Sequence, residues 1–180
     1  MVALLGICGS MRKASLNRAL LDAIREQLPA HTRMSIYAEL DLPIFNSDLE
    51  DPPAVVRLKA AIAEADGVVF GVPEYNYSIP GGLKNALDWV SRPPQSSPMR
   101  GKPVGIVGAA TGMSGTIRAQ AHLRQMMLFS DSPVLSQPEV LIPRAHERFD
   151  AEGRLTEPTT RLLLERFGAA MVAFVERYRG

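Results

Sequence analysis

The segment GSMRKASLN, starting at Gly9, is the first place in this chain where residue types and spacing suggest chemistry. Ser10 and Ser15 bring hydroxyls, Asn17 brings an amide, and a helix start offers N–H groups without intrahelical partners. Together they make a cradle for a phosphate, to which Arg12 adds a charged, bidentate-capable contact. An ordinary capped helix start beside a solvated Arg12-Lys13 pair is the plainer reading of the same residues. A second segment, PEYNYSIPGG from Pro73, crowds two aromatics, an amide and several turn formers together. Tyr75 and Tyr77 offer flat apolar partners to a planar heterocycle, and N–H groups beside them can reach its polar edge. The alternative is a surface turn whose tyrosines help to cover the core. A third segment, GAATGMSG over residues 108–115, is glycine-rich and runs into a helix start. Its N–H groups can meet a carbonyl or a negative charge developing on a ring, although a plain flexible connection explains it equally well.

Other phosphate and nucleophile motifs fit less well. No G-x-x-x-x-G-K-[ST] spacing occurs, and G-x-G-x-x-G fails because Gly6 and Gly9 are three apart with no further glycine in register. Cysteine phosphatases, by family resemblance, place an arginine six residues after the nucleophile; six after Cys8 stands Ala14. Cys8 reads as a small buried residue at a strand end. His31, His122 and His146 are spread without metal-ligand spacing, so structural or surface roles are expected and no metal site is assigned. Taken together, the three loops describe a ligand with a phosphate at one end and a flat heterocycle at the other. FMN has that shape, whereas ATP would call for an acidic metal site near the phosphates.

The elements that must position these loops are legible as short apolar runs alternating with helical periodicity. Residues 2–8 form a continuous apolar run, as expected of a parallel strand buried on both faces. Leu16, Leu20, Ile24 and Leu28 then repeat every fourth residue up to Pro29. A second strand is expected over 34–37, a helix opened by Pro52-Pro53, a third strand over 68–72 and a helix over 81–91. A fourth strand over 104–107 is followed by a helix over 116–129. A fifth is expected at Val134 and 140–142, interrupted near Pro138. A long C-terminal helix carries Leu163, Phe167, Met171, Phe174 and Tyr178 on one stripe. Such β-α repetition packs as a three-layer α/β sandwich around a five-stranded parallel sheet, with ligands beyond the carboxyl ends of the strands.

Bulk properties bound the rest. The chain has 180 residues, 46% hydrophobic and 22% charged, so residues 1–180 read as a single domain with a real core. A net charge of +1 gives no electrostatic case for nucleic acid or an anionic membrane. The single cysteine permits no intrachain disulfide, and the N-terminal apolar stretch is too short for a spanning helix and lacks a leading basic region. A cytoplasmic location is expected.

GSMRKASLN after the first strand, with PEYNYSIPGGLKNALDW after the third, resembles the NADPH-dependent FMN reductase family, and within it the bacterial chromate and quinone reductases. The likeness extends through RAQAHLRQ from Arg118. It implies a flavodoxin-like fold of strand order 2-1-3-4-5, the arrangement for which flavodoxin is the standard example, with FMN at the switch point. By the same resemblance, Ser10, Arg12, Ser15, Leu16 and Asn17 hold the phosphate. Pro73, Glu74, Tyr75 and Asn76 line the isoalloxazine, with Tyr77 and Ser78 close by. Thr111, Gly112, Ser114 and Gly115 are placed there by position alone. The implied activity takes hydride from NADPH or NADH through FMN to a small-molecule acceptor (quinone, azo dye, chromate or free flavin) by a ping-pong mechanism. It needs no acid–base residue of its own, since hydride transfer is flavin-centred. A homodimer or homotetramer is implied, with the segment 83–90, ending at Asp88-Trp89, as a candidate interface; simple packing on the sheet is the alternative. Two rivals remain at this stage: an electron carrier, against which the basic phosphate loop and near-neutral charge stand, and a flavin-binding sensor.

Overall fold

In the computed structural model, which describes residues 1–179, the apolar runs form the strands β1 (Val2–Cys8), β2 (Thr32–Tyr37), β3 (Gly67–Gly71), β4 (Val104–Ala109) and β5 (Val140–Ile142). The helices are α1 (Leu16–Glu26), α2 (Pro53–Glu64), α3 (Gly81–Val90), α4 (Ile117–Met127) and α5 (Pro158–Arg177). All strands pair in parallel in the order β2-β1-β3-β4-β5, as expected. Register is set by pairs such as Leu4 with Met34, Cys8 with Gly71, and Val68 with Val104. Val134 contributes only an isolated bridge to Val104, so β5 proper is the short 140–142 segment.

Alternation along the strands sorts the side chains into two cores. Leu5, Ile7, Val68, Phe70 and Ile106 face α2, α3 and α4; Leu4, Cys8, Val69, Val107 and Ala109 face α1 and α5. Both faces are covered, which is why the strands are apolar throughout.

One packing expectation changes. The buried face of α5 is centred on Leu164, Phe167, Gly168, Met171, Val172 and Val175, rotated from the expected stripe. Leu163 and Phe174 sit at its margin and Tyr178 is exposed, because the helix packs through Phe167, Met171 and Val175 on the strand glycines Gly67 and Gly105 as well as meeting α1. On α3, Leu83, Ala86, Trp89 and Val90 are all buried in this chain's own core. Trp89 Nε1 donates to the Pro43 carbonyl at 2.8 Å and its ring meets Phe45 edge-on at 5.0 Å. These residues of the segment 83–90 pack on this chain's own sheet, while Lys84, Leu87 and Asp88 of the same segment line an open groove beside Met126 and Phe129.

Candidate active site

The order of the sheet reverses between β1 and β3, and the loops leaving these two neighbouring strands part on opposite sides. Between them lies a cleft of about 350 Å³ lined by Gly9, Met11, Arg12, Tyr75, Pro80, Gly81 and Gly82. The first two loops predicted from sequence thus share one cavity. A groove of about 240 Å³ between α3 and the end of α4, lined by Leu87, Met99, Met126 and Phe129 among others, lies away from the loops at the carboxyl edge. It is walled mainly by apolar side chains and lacks the convergent polar groups of the cleft.

In the first loop, Ser15 is the N-cap of α1, its hydroxyl accepting from the Arg18 N–H at 3.2 Å. The N–H groups of Leu16 and Asn17, in the first turn, lie outside the helix's own ladder. Ser10 is buried, and its hydroxyl accepts from the Arg12 N–H at 3.3 Å, which folds the loop back on itself. Cys8 is fully buried beneath, its Sγ 3.4 Å from the Ser10 carbonyl. The Asn17 side chain is committed elsewhere: Nδ2 donates to the Ala109 carbonyl and Oδ1 accepts from the Ala109 N–H, each at 2.9 Å. Asn17 therefore clips the first loop to the start of the third, and what it offers a ligand is its backbone N–H.

The second loop turns sharply. Tyr75 and Ser78 exchange backbone hydrogen bonds at 2.9 and 3.0 Å, and Asn76 and Tyr77 take positive φ values of 50° and 65°. Pro73 is buried at the strand end, Tyr75 lines the cleft, and Asn76 and Tyr77 are exposed. The Glu74 side chain turns away from the cleft. Its carboxylate accepts from the N–H groups of Arg118 (3.0 Å) and Ala119 (3.4 Å) and from Arg118 Nη1 (2.9 Å). Burial works to raise the Glu74 pKa, but these hydrogen bonds outweigh it and hold the carboxyl below its usual range. Glu74 thereby caps α4, whose own N-cap, Thr116, supplies no side-chain bond. The Arg118 guanidinium lies 4.3 Å from the centroid of the Tyr77 ring, and one turn on, His122 Nδ1 is 3.0 Å from Ser78 Oγ. Residues 118, 119 and 122 of α4 fasten the whole second loop.

The third loop divides. Thr111, Gly112 and Met113 are exposed and Ser114 is half-buried, whereas Gly115 is buried with φ 54°. A Cβ at Gly115 would stand 3.0 Å from the Leu141 backbone, so this glycine serves close packing on β5. The turn is braced by the Arg144 N–H donating to the Gly112 carbonyl and the Ala145 N–H to the Ala110 carbonyl. The three histidines do not meet: His31 lies near Glu176, His146 near Glu147, and His122 on Ser78.

Sequence reading missed Met11, Gly81 and Gly82 as cleft walls and Arg118 and His122 as supports. Gly81-Gly82 was a usable signal, since the pair closes the PEYNYSIPGG segment that carries Tyr75. The chemistry around the cleft fits a phosphorylated planar ring: Arg12 and Tyr75 line it with glycine backbone, and the hydroxyls of Ser10 and Ser15 and the free N–H groups of α1 belong to the loop that carries Arg12.

Comparison with known proteins agrees with this fit. A family model described as NADPH-dependent FMN reductase matches residues 2–147. The chain is 43% identical over 182 residues to a Pseudomonas aeruginosa NAD(P)H-dependent FMN reductase, covering 99% of this chain and 98% of that protein. It is 39% identical over 175 residues to a 2-hydroxy-1,4-benzoquinone reductase from a Burkholderia species, covering 96% of each. Among solved structures, the Paracoccus denitrificans flavoenzyme NAD(P)H:(acceptor) oxidoreductase superposes with a TM-score of 0.90 at 34% identity, over 99% of both chains.

Proposed function

We propose a two-stroke reductase cycle at the β1–β3 cleft for this chain, which belongs to the NADPH-dependent FMN reductase family. The enzyme is an NAD(P)H-dependent FMN and quinone reductase by kinship, with FMN as cofactor. Nicotinamide and acceptor, on this reading, use the same open face in turn, giving ping-pong kinetics. The observation that carries it is the single cleft joining the phosphate loop to the ring loop, with α4 outside it.

Bound there, FMN supplies hydride acceptance from a nicotinamide and electron delivery to a second substrate. The protein's own residues bind and orient. Ser10, Ser15, Arg12 and the N–H groups of Leu16 and Asn17 surround the phosphate, with Arg12 offsetting its charge. Backbone from Pro73 to Asn76 runs along the isoalloxazine, Tyr75 supplies an apolar wall, and Tyr77 and Ser78 lie beside it. Backbone of the third loop at Thr111, Gly112 and Ser114 donates toward the ring edge, while Gly115 keeps that loop against β5.

Quinones are the favoured acceptors because a relative of matching length is named a 2-hydroxy-1,4-benzoquinone reductase. Azo dyes, chromate and free flavin are secondary acceptors under the same open-face reading. A homodimer or homotetramer in the cytoplasm completes the proposal. Among the described residues, no helix is long and apolar enough to cross a membrane. Initial rates with NADPH and 1,4-benzoquinone, varied together, test the cycle. Parallel double-reciprocal lines are expected; intersecting lines would require both substrates to be bound at once.

A further inference from the structure

We infer that a second cavity, at the carboxyl end of β2 beside the cleft, takes the adenosine half of the nicotinamide dinucleotide, and that Glu39 and Asp41 in its wall select an unphosphorylated ribose and so favour NADH over NADPH. The assignment rests on the reductase reading above. A dinucleotide whose nicotinamide lies against a flavin ring in a cleft of about 350 Å³ must carry its adenosine into further space.

Such space adjoins the cleft. A cavity of about 620 Å³ is lined by Met11, Glu39, Leu40, Asp41, Ala54 and Arg57 among others, and it shares Met11 with the cleft. The Met11 side chain lies where the two meet. A Cβ at Gly82, a wall of the cleft, would stand 3.5 Å from Met11 Cε and 3.8 Å from the Leu40 carbonyl oxygen. The groove between α3 and the end of α4 shares no lining residue with the cleft.

The fold holds the wall of this cavity in place. Leu40 and Leu42 are buried, so alternation along the chain sends Glu39 and Asp41 outward. The Leu42 N–H donates to the Leu40 carbonyl at 3.0 Å, closing a three-residue turn with Asp41 at its apex. Asn85 of α3 pins the chain beyond it, donating to the Pro43 carbonyl at 2.9 Å and accepting from the Phe45 N–H at 2.8 Å. Unlike Asp51 and Asp88, which pair with Lys59 and Lys84, Glu39 and Asp41 enter no ion pair among the described residues. Arg57 and Glu39 both act on the Tyr37 hydroxyl: burial and then Glu39 raise its pKa, and Arg57 lowers it.

Two carboxylates and one guanidinium leave the wall negative. Ribose hydroxyls donate to carboxylates in charge-assisted bonds, the usual way in which such a diol is read. A 2′-phosphate brings negative charge and is repelled. Quinone oxygens only accept hydrogen bonds, so the wall suits the dinucleotide better than the acceptor.

The test measures binding of 5′-AMP and of adenosine 2′,5′-bisphosphate to the FMN-loaded protein by calorimetry. FMN fills the phosphate loop and keeps the phosphates of both probes out of it. AMP is expected to bind at least about 5-fold more tightly than the bisphosphate. In the double variant Glu39→Gln/Asp41→Asn that preference is expected to disappear or reverse, with FMN affinity unchanged. The ratio of kcat/KM for NADPH to that for NADH is expected to rise by at least about 5-fold in the same variant. No binding of either probe, equal binding of the two, or tighter binding of the bisphosphate by the parent would overturn the inference. So would a preference that the double variant moves by less than about 2-fold. An altered FMN affinity in that variant would also overturn it, since the carboxylates would then serve the flavin. A parent protein whose flavin neither NADH nor NADPH bleaches would instead defeat the reductase cycle itself, so the two failures are distinguishable.

Discussion

Replacing Glu74 by alanine removes a helix cap and a partly buried ion pair at once, and its cost can be worked from the contacts. Glu74 accepts from two backbone N–H groups at the start of α4, and Thr116 offers no substitute because its side chain makes no cap bond. Loss of a side-chain cap costs about 1–2 kcal/mol. The bond to Arg118 Nη1 adds about 0.5–1 kcal/mol, a screened value because the Arg118 side chain is 49% exposed although Glu74 is only 8% exposed. The sum, about 1.5–3 kcal/mol, lowers the thermal midpoint of a chain this size by about 3–12 °C. Glu74→Gln keeps one acceptor oxygen and shape, so about 1 kcal/mol is expected. Arg118→Ala leaves both capped N–H groups in place and also costs about 1 kcal/mol. Because the same carboxylate fastens the turn at 75–78, Glu74→Ala should also weaken FMN binding by about 10-fold, equivalent to 1.4 kcal/mol of loop ordering. Thermal melts of the three flavin-free variants, followed by FMN titration, decide the matter. A midpoint for Glu74→Ala within about 1 °C of the parent, or a larger loss for Arg118→Ala, would refute the capping argument.

Three other outcomes follow from the packing. Asn17→Ala strands the N–H and carbonyl of Ala109, and a loss of about 2–4 kcal/mol by chemical denaturation is expected, together with weaker FMN binding. Gly108→Ala would put a Cβ 1.8 Å from Thr116 Oγ1 and 2.8 Å from the Val72 carbonyl; since backbone cannot yield like a side-chain tip, a loss of about 3 kcal/mol or failure to fold is expected, read by near-UV circular dichroism. Glu157 caps α5, and its pKa is pushed from 4.5 to about 2, chiefly by the Thr160 hydroxyl and N–H. The folded value lies below the unfolded one, so this stabilisation is complete above pH 4.5 and lost as pH falls through about 2. Glu157→Gln should flatten the acid limb of stability in that window, measured by urea midpoints at each pH.

The sheet was readable because each strand is buried on both faces, and a run such as Val2–Cys8 has no other use in a chain of this composition. Loop positions followed from the ends of those runs. The partners within the site were not readable, because each pairs residues far apart in the chain. Asn17 looked like a phosphate ligand, yet its amide meets Ala109, 92 residues on. Glu74 stood in a ring-binding motif, yet its carboxylate caps a helix 44 residues later. Local periodicity carries no trace of such pairings. Nor did it mark Thr116, whose left-handed φ of 71° and full burial arise from the tight turn at Gly108 and Gly115. The stripe on α5 slipped for a related reason: spacing finds an apolar face, but tertiary packing chooses its centre.

The most direct test of the reductase cycle separates its two halves. Protein reconstituted with FMN is mixed anaerobically with NADPH alone, and the product is then mixed with 1,4-benzoquinone, while the visible flavin absorbance is followed. The account predicts that NADPH abolishes the absorbance with no acceptor present, that the quinone restores it, and that both steps are at least as fast as steady turnover. Flavin that NADPH leaves oxidised until the quinone is also present would contradict it.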